Sequence, residues 1–214
     1  DFKGLGLFDG IIFCHYTEEH KALYDKLKSE GKYNVFALRD EDSLVVASTN
    51  DDVIRHYDLM IDENNDPVRD LEPLREYMDK WDGRQFIDSL QLTKEKFVLE
   101  IGVGTGRLAA RVAPECREFC GIDLSPKTVK RAKENLKEQT NVSLICGDFM
   151  SYEFVRKFDV IYSSLTFMHI RDKQAAINKV RSLLNIGGRF VLSIDKNQSD
   201  TIDYGVAVAE ISLV

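Results

Sequence analysis

The sequence predicts an α/β protein: a doubly wound, mostly parallel sheet preceded by a small α/β N-terminal segment. Three observations carry this reading. From Phe97 onward, short apolar runs alternate with amphipathic ones, the pattern of parallel strands joined by crossover helices. The first of these runs, VLEIGVGTGRLAARVA at 98–113, ends in three alternate glycines and then turns helical. The first ninety-odd residues follow a different pattern, with strand-like and helical stretches that do not continue this alternation.

Taken in order, LFDGIIF and YNVFALRDEDSLVVAS read as strands on either side of an amphipathic helix at 18–30. ENNDPVRDLEP, from Glu63 to Pro73, is the most loop-like stretch. A helical stretch at 70–90 leads into the glycine-rich strand. Strands follow near 97–101, 118–122, 142–146, 158–163 and 188–194, with helices over 106–113, 126–138 and 172–184. Ser125 is placed to cap the helix at 126–138, and Pro126 suits its first turn. The helix at 172–184 is expected to stop against Gly187-Gly188, which accept left-handed geometry. Ligands on such sheets bind at the carboxyl ends of the strands, near the point where strand order reverses.

Composition narrows the function. The 214 residues suffice for one good core or two small domains, and 43% hydrophobic with 30% charged residues is ordinary for a soluble globular chain. A net charge of -7 without a long basic run weighs against a nucleic-acid partner. No apolar stretch approaches the ~20 residues of a membrane span. The first ten residues lack the basic and apolar regions of a secretory leader. Cys14, Cys116, Cys120 and Cys146 form no C-x-x-C pair, and nothing near Cys116 and Cys120 completes a zinc set. No metal is expected. Reduced, mostly buried thiols and a cytoplasmic location are expected.

The glycine loop, Glu100-Ile101-Gly102-Val103-Gly104-Thr105-Gly106, offers a turn open to positive φ and a backbone that a ligand can approach closely. A dinucleotide site would use G-x-G-x-x-G, but Arg107 stands where the third glycine belongs, and no G-K-[ST] of a Walker loop follows. Asp123 ends the second strand of the alternating region, with Leu124 beside it, where a carboxylate can accept ribose hydroxyls. Asp148 ends the third strand, where an acceptor meets an exocyclic adenine amine. Phe149 next to it offers a backbone donor and an apolar wall. Glu100 is expected to bring negative charge to the loop, which suits a sulfonium and opposes a pyrophosphate. Together these residues describe a site for a cationic adenosine derivative.

VLEIGVGTGRLA, GIDLSPKTVKRAKENL, LICGDF, FDVIYSSLTFMHI and LLNIGGRFVLSI, in this order and spacing, resemble a class I S-adenosylmethionine-dependent methyltransferase over about residues 57–194. The resemblance implies a Rossmann-like methyltransferase sheet and S-adenosyl-L-methionine as cofactor. It implies that Gly102 and Gly104, on the loop that Gly106 closes, contact the methionine part. Asp123 with Leu124 would hold the ribose, and Asp148 with Phe149 the adenine. Ser164 would face the methionine carboxylate or methyl side, and Tyr57, in HYDLM, would cover the cofactor. His169 is the local candidate for a base, against the plainer reading of a histidine packed under the next helix. The Asn- or Asp-Pro-Pro-aromatic motif of DNA-base and protein-amide methylation is replaced by Ser163-Ser164-Leu165-Thr166, so a small-molecule acceptor is expected. Such enzymes end in an antiparallel strand pair, whereas VAVAEISLV supplies one strand. An open sheet edge is therefore expected as one route to a homo-oligomer.

GLGLFDGIIFCHYTEEHKALYDKLKSEGKYNVFALRDEDSLVV resembles the carboxyl-terminal part of the peptidase E (aspartyl dipeptidase) family. The resemblance would place His15 and Asp40 in a Ser-His-acid arrangement, but the chain has no G-x-S-x-G elbow and so no matching nucleophile. The expected organisation is thus a peptidase E-like C-terminal fragment at 1–52 fused to a methyltransferase domain at 53–214. The fragment is too small for its own core and is a second route to self-association. Two other readings remain beside methyl transfer: a non-catalytic S-adenosylmethionine-binding module, and an NAD(P)-dependent oxidoreductase, against which Arg107 and Glu100 count.

Overall fold

The computed structural model describes residues 10–13, 17–32, 34–37, 49–195 and 206–212. The chain divides into two compact units, residues 1–52 and 53–214. In the first, β1 (Gly10–Phe13) and β2 (Asn34–Ala37) pair in parallel, with α1 (Lys21–Glu30) between them in sequence. Gly31, at φ 65°, stops α1 in left-handed geometry. His15, Asp40 and most of the second expected strand lie outside the described residues.

The second unit begins within α2 (Asn50–Asp62). It continues through α3 (Glu72–Asp82), α4 (Arg84–Ser89), β3 (Phe97–Ile101), α5 (Ala109–Val112), β4 (Glu118–Asp123), α6 (Pro126–Asn135), β5 (Val142–Cys146), β6 (Phe158–Ser164), α7 (Lys173–Leu183), β7 (Leu184–Asp195) and β8 (Val206–Ser212). The sheet order is β5-β4-β3-β6-β7-β8. Pairing is parallel from β5 to β7 and antiparallel between β7 and β8. Strand order reverses at β3, which lies between β4 and β6, and open α/β sheets bind their ligands at the strands' carboxyl ends at such a reversal.

The apolar runs are continuous because the central strands are covered on both faces. Alternate residues of β3 enter opposite cores: Val98 joins Phe86, Val112, Phe119 and Tyr162, while Leu99 and Ile101 join Ile122, Ile161, Val180 and Phe190. Burying each such large apolar side chain contributes about 1.5–3 kcal/mol. α4 and α5 cover the first face, α7 the second. Cys116 is buried, Cys120 half-buried and Cys146 exposed. No helix among the described residues is long and apolar enough to cross a membrane.

Several boundaries differ from the sequence reading. The helix expected over 70–90 is two helices that break at Gly83. The one expected over 106–113 shrinks to α5 followed by a 3-10 turn at Ala113–Glu115, because the glycine loop takes up residues through Leu108. The helix over 126–138 ends at Asn135. α7 does not stop at Gly187-Gly188. It ends at Leu183, because Leu184 is already extended and pairs with Phe158 of β6. Residues 185–188 then bulge out of the ladder before Arg189 pairs with Val160, with Gly187 at φ 75° inside the bulge.

Candidate functional site

Three strand ends of the parallel sheet converge on the glycine loop. Gly102 and Val103 donate to the Ile122 carbonyl of β4 at 2.8 and 3.1 Å, which folds the loop back over the sheet edge. Gly102 sits at φ 81°, and a Cβ there would lie 2.0 Å from Oγ1 of Thr166, so the segment after β6 packs directly on the loop. Gly104, at φ 55°, is different: a Cβ built on it meets nothing within 4 Å. Its backbone borders open space, as a ligand-facing loop requires.

Asp123, at the end of β4, fixes that open stretch. Its Oδ2 accepts from the Gly104 N–H at 2.9 Å and its Oδ1 from the Ser125 N–H at 3.0 Å. Burial nonetheless pushes its carboxyl above the ordinary range, with these backbone donors opposing the shift. The carboxylate thus ties the glycine loop to the residue that caps α6. Leu124 follows it, half-buried. Ser125 caps α6 by accepting from the Thr128 N–H at 3.0 Å.

Asp148, beyond β5, accepts the Met150 N–H on Oδ1 at 2.9 Å and shapes a turn. The Phe149 ring is buried in the core cluster on the α7 face, 6.1 Å from the Phe154 ring. The side chain is thus taken up by the sheet core just beyond the end of β5.

Glu100 also differs from expectation. Its side chain shares the face of Val98, is 3% exposed, and accepts the Tyr162 hydroxyl at 2.9 Å on Oε2. Burial raises its carboxyl well above the usual range, against the Tyr162 hydrogen bond and Arg107. It lies beneath the loop rather than at its surface, where burial disfavours its charged form.

A carboxylate near the loop comes instead from Asp82, the last residue of α3, which the sequence reading missed. Asp82 is fully buried and accepts from the Ser164 hydroxyl at 2.5 Å and from Arg107. Its other oxygen, Oδ1, is buried with no hydrogen-bond partner among the described residues. Ser164, expected to face the cofactor, is thus joined to α3. No local signal in WDGRQF marks Asp82, because the helix break that places it depends on tertiary packing.

α2 is held over the start of α6 by acidic residues. Asp58 accepts from the Ser125 hydroxyl at 2.6 Å, and Asp62 pairs with Lys127 at 2.5 Å. Asp66, in the turn after α2, is buried and accepts from Arg131 at 3.1 Å and Asn135 at 3.2 Å. Hydrogen bonding to these groups and the Val68 N–H holds Asp66 below the ordinary carboxylate range, although burial, the largest single influence, opposes them. This clamp places Tyr57, whose hydroxyl lies 3.0 Å from Nε2 of His169. Asp123 is near enough to raise the Tyr57 hydroxyl, after burial, the larger cause.

Residues 98–188 match the family model described as a methyltransferase domain. Over 108 residues the chain is 32% identical to malonyl-[acyl-carrier protein] O-methyltransferase 1 of Ilyobacter polytropus, covering 50% of this chain and 40% of that protein. Over 98 residues it is 39% identical to an uncharacterized methyltransferase of Bacillus thuringiensis, covering 45% of each. The chain therefore spans less than half the length of these relatives. Among solved structures, the YcgJ protein from Bacillus subtilis aligns at TM-score 0.50 and 29% identity, over 52% of this chain and 49% of that one. Phosphoethanolamine N-methyltransferase 1 of Haemonchus contortus, solved with phosphoethanolamine and S-adenosylhomocysteine, aligns at TM-score 0.59 and 20% identity, over 72% of this chain and 34% of that one. The parallel sheet with helices on both faces is a Rossmann-like methyltransferase fold.

Proposed function

We propose that residues 53–214 form a class I methyltransferase domain that transfers a methyl group from S-adenosyl-L-methionine to a small-molecule acceptor. The observation that carries this reading is the pairing of Gly104 with Asp123: a loop backbone bordering open space, locked to a carboxylate at the next strand end. Asp123 and Leu124 hold the ribose. Asp148 and the backbone of Phe149 hold the adenine. Gly102, Gly104 and Ser164 surround the methionine part, and Tyr57 lies over the cofactor. When bound, the cofactor supplies an activated methyl on a sulfonium, and the protein supplies alignment and electrostatics. The family match at 98–188 supports this, as does the absence of a long basic run in a chain of net charge -7.

Residues 1–52 form, in this reading, a peptidase E-like fragment fused to that domain in a cytoplasmic protein. The parallel strand-helix-strand order of β1, α1 and β2 supports it. Residues 1–52 hold no G-x-S-x-G serine, so they supply no nucleophile for peptide hydrolysis by themselves.

Calorimetric titration with S-adenosylmethionine, S-adenosylhomocysteine and NAD tests the cofactor. Binding of the first two without NAD is the expected result. NAD binding alone would replace the reading with an oxidoreductase.

A further inference from the structure

We propose that Asp82 is the anchor for the α-ammonium group of S-adenosyl-L-methionine, which its free oxygen Oδ1 accepts. This rests on the cofactor reading above and adds to it a binding residue that no strand-end motif marks.

Asp82 is buried at the unfavourable end of a helix. It closes α3, where the aligned peptide dipoles already leave partial negative charge and favour a cation over a carboxylate. A fixed break keeps it there. A Cβ on Gly83 would run into the Asp79 carbonyl, so glycine lets the chain turn into α4 directly after Asp82. Beyond the break, Phe86 is buried and packs edge to face on Tyr162, with 6.0 Å between ring centroids. α4 is thus pinned to the sheet, and the end of α3 with it.

The carboxylate so placed is only half used. Oδ2 accepts both the Ser164 hydroxyl, at 2.5 Å, and Arg107. A forked arginine pair would have filled both oxygens, whereas Oδ1 is buried with no hydrogen-bond partner among the described residues. A buried acceptor left unpaired costs stability, the more so when it is charged. The surrounding charges point the same way. Asp82 is close enough to Glu100 to oppose its ionisation, and Arg107 is the cation near both. Arg107 also faces Asp79 at 3.8 Å, which Arg111 meets at 2.9 Å. The group that completes this cluster is therefore a cationic donor.

The position fits the amino-acid end of the cofactor. β3 and β6 pair through Glu100 and Tyr162. Two residues further along each strand stand Gly102 and Ser164, and Ser164 is bonded to Asp82. β6 lies across β3 from β4 and β5, whose ends lead to Asp123 and Asp148. Asp82 thus belongs to the methionine side of the proposed site, opposite the ribose and adenine side. An ammonium there donates to Oδ1 in a charge-assisted bond. Ser164 is a positioning residue in this arrangement, because its hydroxyl holds Oδ2 and leaves Oδ1 to the ligand. Oδ1 is covered in the free protein, so its cover parts as the ligand enters.

The test is calorimetric titration of the full chain and of Asp82→Asn with two ligands. One is S-adenosylhomocysteine, and the other its deamino analogue, which carries hydrogen in place of the amino group. The parent should prefer S-adenosylhomocysteine by about 10- to 100-fold, the range for a hydrogen bond to a charged group. Asp82→Asn should lose most of that preference while binding the deamino analogue as the parent does. An equal preference in the two proteins overturns the proposal, including the case in which the variant binds both ligands more weakly by the same factor. Should Asp82→Asn fail to fold, NMR of S-adenosylhomocysteine labelled at its amine reads the contact in the parent alone. The bound amine should titrate well above the free ligand, because a carboxylate partner holds its proton. An unshifted or lowered value overturns the proposal. Failure of the parent to bind either ligand overturns the cofactor reading instead.

Discussion

The Ser164 hydroxyl donates to Oδ2 of Asp82 at 2.5 Å, joining the end of β6 to the last residue of α3. Arg107, just past the glycine loop, bonds the same oxygen and lies 3.8 Å from Asp79. Three segments distant in sequence therefore meet at one buried carboxylate, and Arg107, 18% exposed at its side chain, is the cation paired with it.

Removing that carboxylate leaves a largely buried guanidinium without its nearest partner. Asp82→Ala should lower the unfolding free energy by about 3–5 kcal/mol, the range for breaking a buried ion pair from one side. Asp82→Asn keeps an acceptor for Ser164 and should cost less. Urea unfolding of the two variants measures the order, and equal costs would show that Arg107 does not depend on the charge.

What the sequence made legible was what repeats or stands at a fixed offset from a strand. The central parallel strands were visible because burial on both faces makes them short apolar runs, as in VLEI and VIYSS. The glycine loop and Asp123 were visible because both mark the carboxyl ends of neighbouring strands. Asp82, Asp66 and the Tyr57–His169 pair were not, since each depends on which helix lies over which strand end. Glu100 and Phe149 illustrate a related limit. Sequence places a residue at a strand end but not on which side of the sheet its side chain goes, and these two point into the cores.

Gly102 offers a sharper test of how the loop is built. Gly102→Ala adds a Cβ at φ 81° and drives it into Thr166. The left-handed geometry alone costs about 1–2 kcal/mol for an L-residue, and the clash adds to it. Thermal unfolding should show a clear loss, together with weakened S-adenosylhomocysteine binding. Adding Thr166→Gly should recover the steric part and leave the backbone part. If the double variant is no more stable than Gly102→Ala, Thr166 is not what occupies that space.

Glu100 gives a pH signature. Its carboxyl is raised in the folded protein, chiefly by burial. Its proton is therefore held more tightly folded than unfolded. The stability linked to it is complete below the unfolded value of roughly 4.3 and falls as pH rises toward the raised folded value. Glu100→Gln removes this penalty and keeps an acceptor for Tyr162. The variant should be more stable than the parent at neutral pH, and the difference should shrink as pH falls from the raised folded value toward about 4.3, vanishing below it where the carboxyl is neutral both folded and unfolded. Melting temperature against pH for both proteins decides it. A difference that stays constant with pH would mean that Glu100 is not the group being protonated.

Asp123 carries two roles that one substitution can separate. It clamps Gly104 and the entry to α6 in the free protein, and in the proposed complex it also accepts the ribose hydroxyls. Asp123→Ala should weaken S-adenosylhomocysteine binding by about 1–3 kcal/mol, the range for a lost charged hydrogen-bond partner. Asp123→Asn keeps one carbonyl acceptor, enough for a single backbone N–H, and should retain more of the stability than of the affinity. Calorimetric affinity and melting temperature, measured on the same samples, distinguish the roles. A fall in affinity larger than the fall in stability assigns Asp123 to the ribose as well as the loop. Lost stability with unchanged affinity would reduce it to a structural clamp, and the ribose would then have to be held by another group at the end of β4.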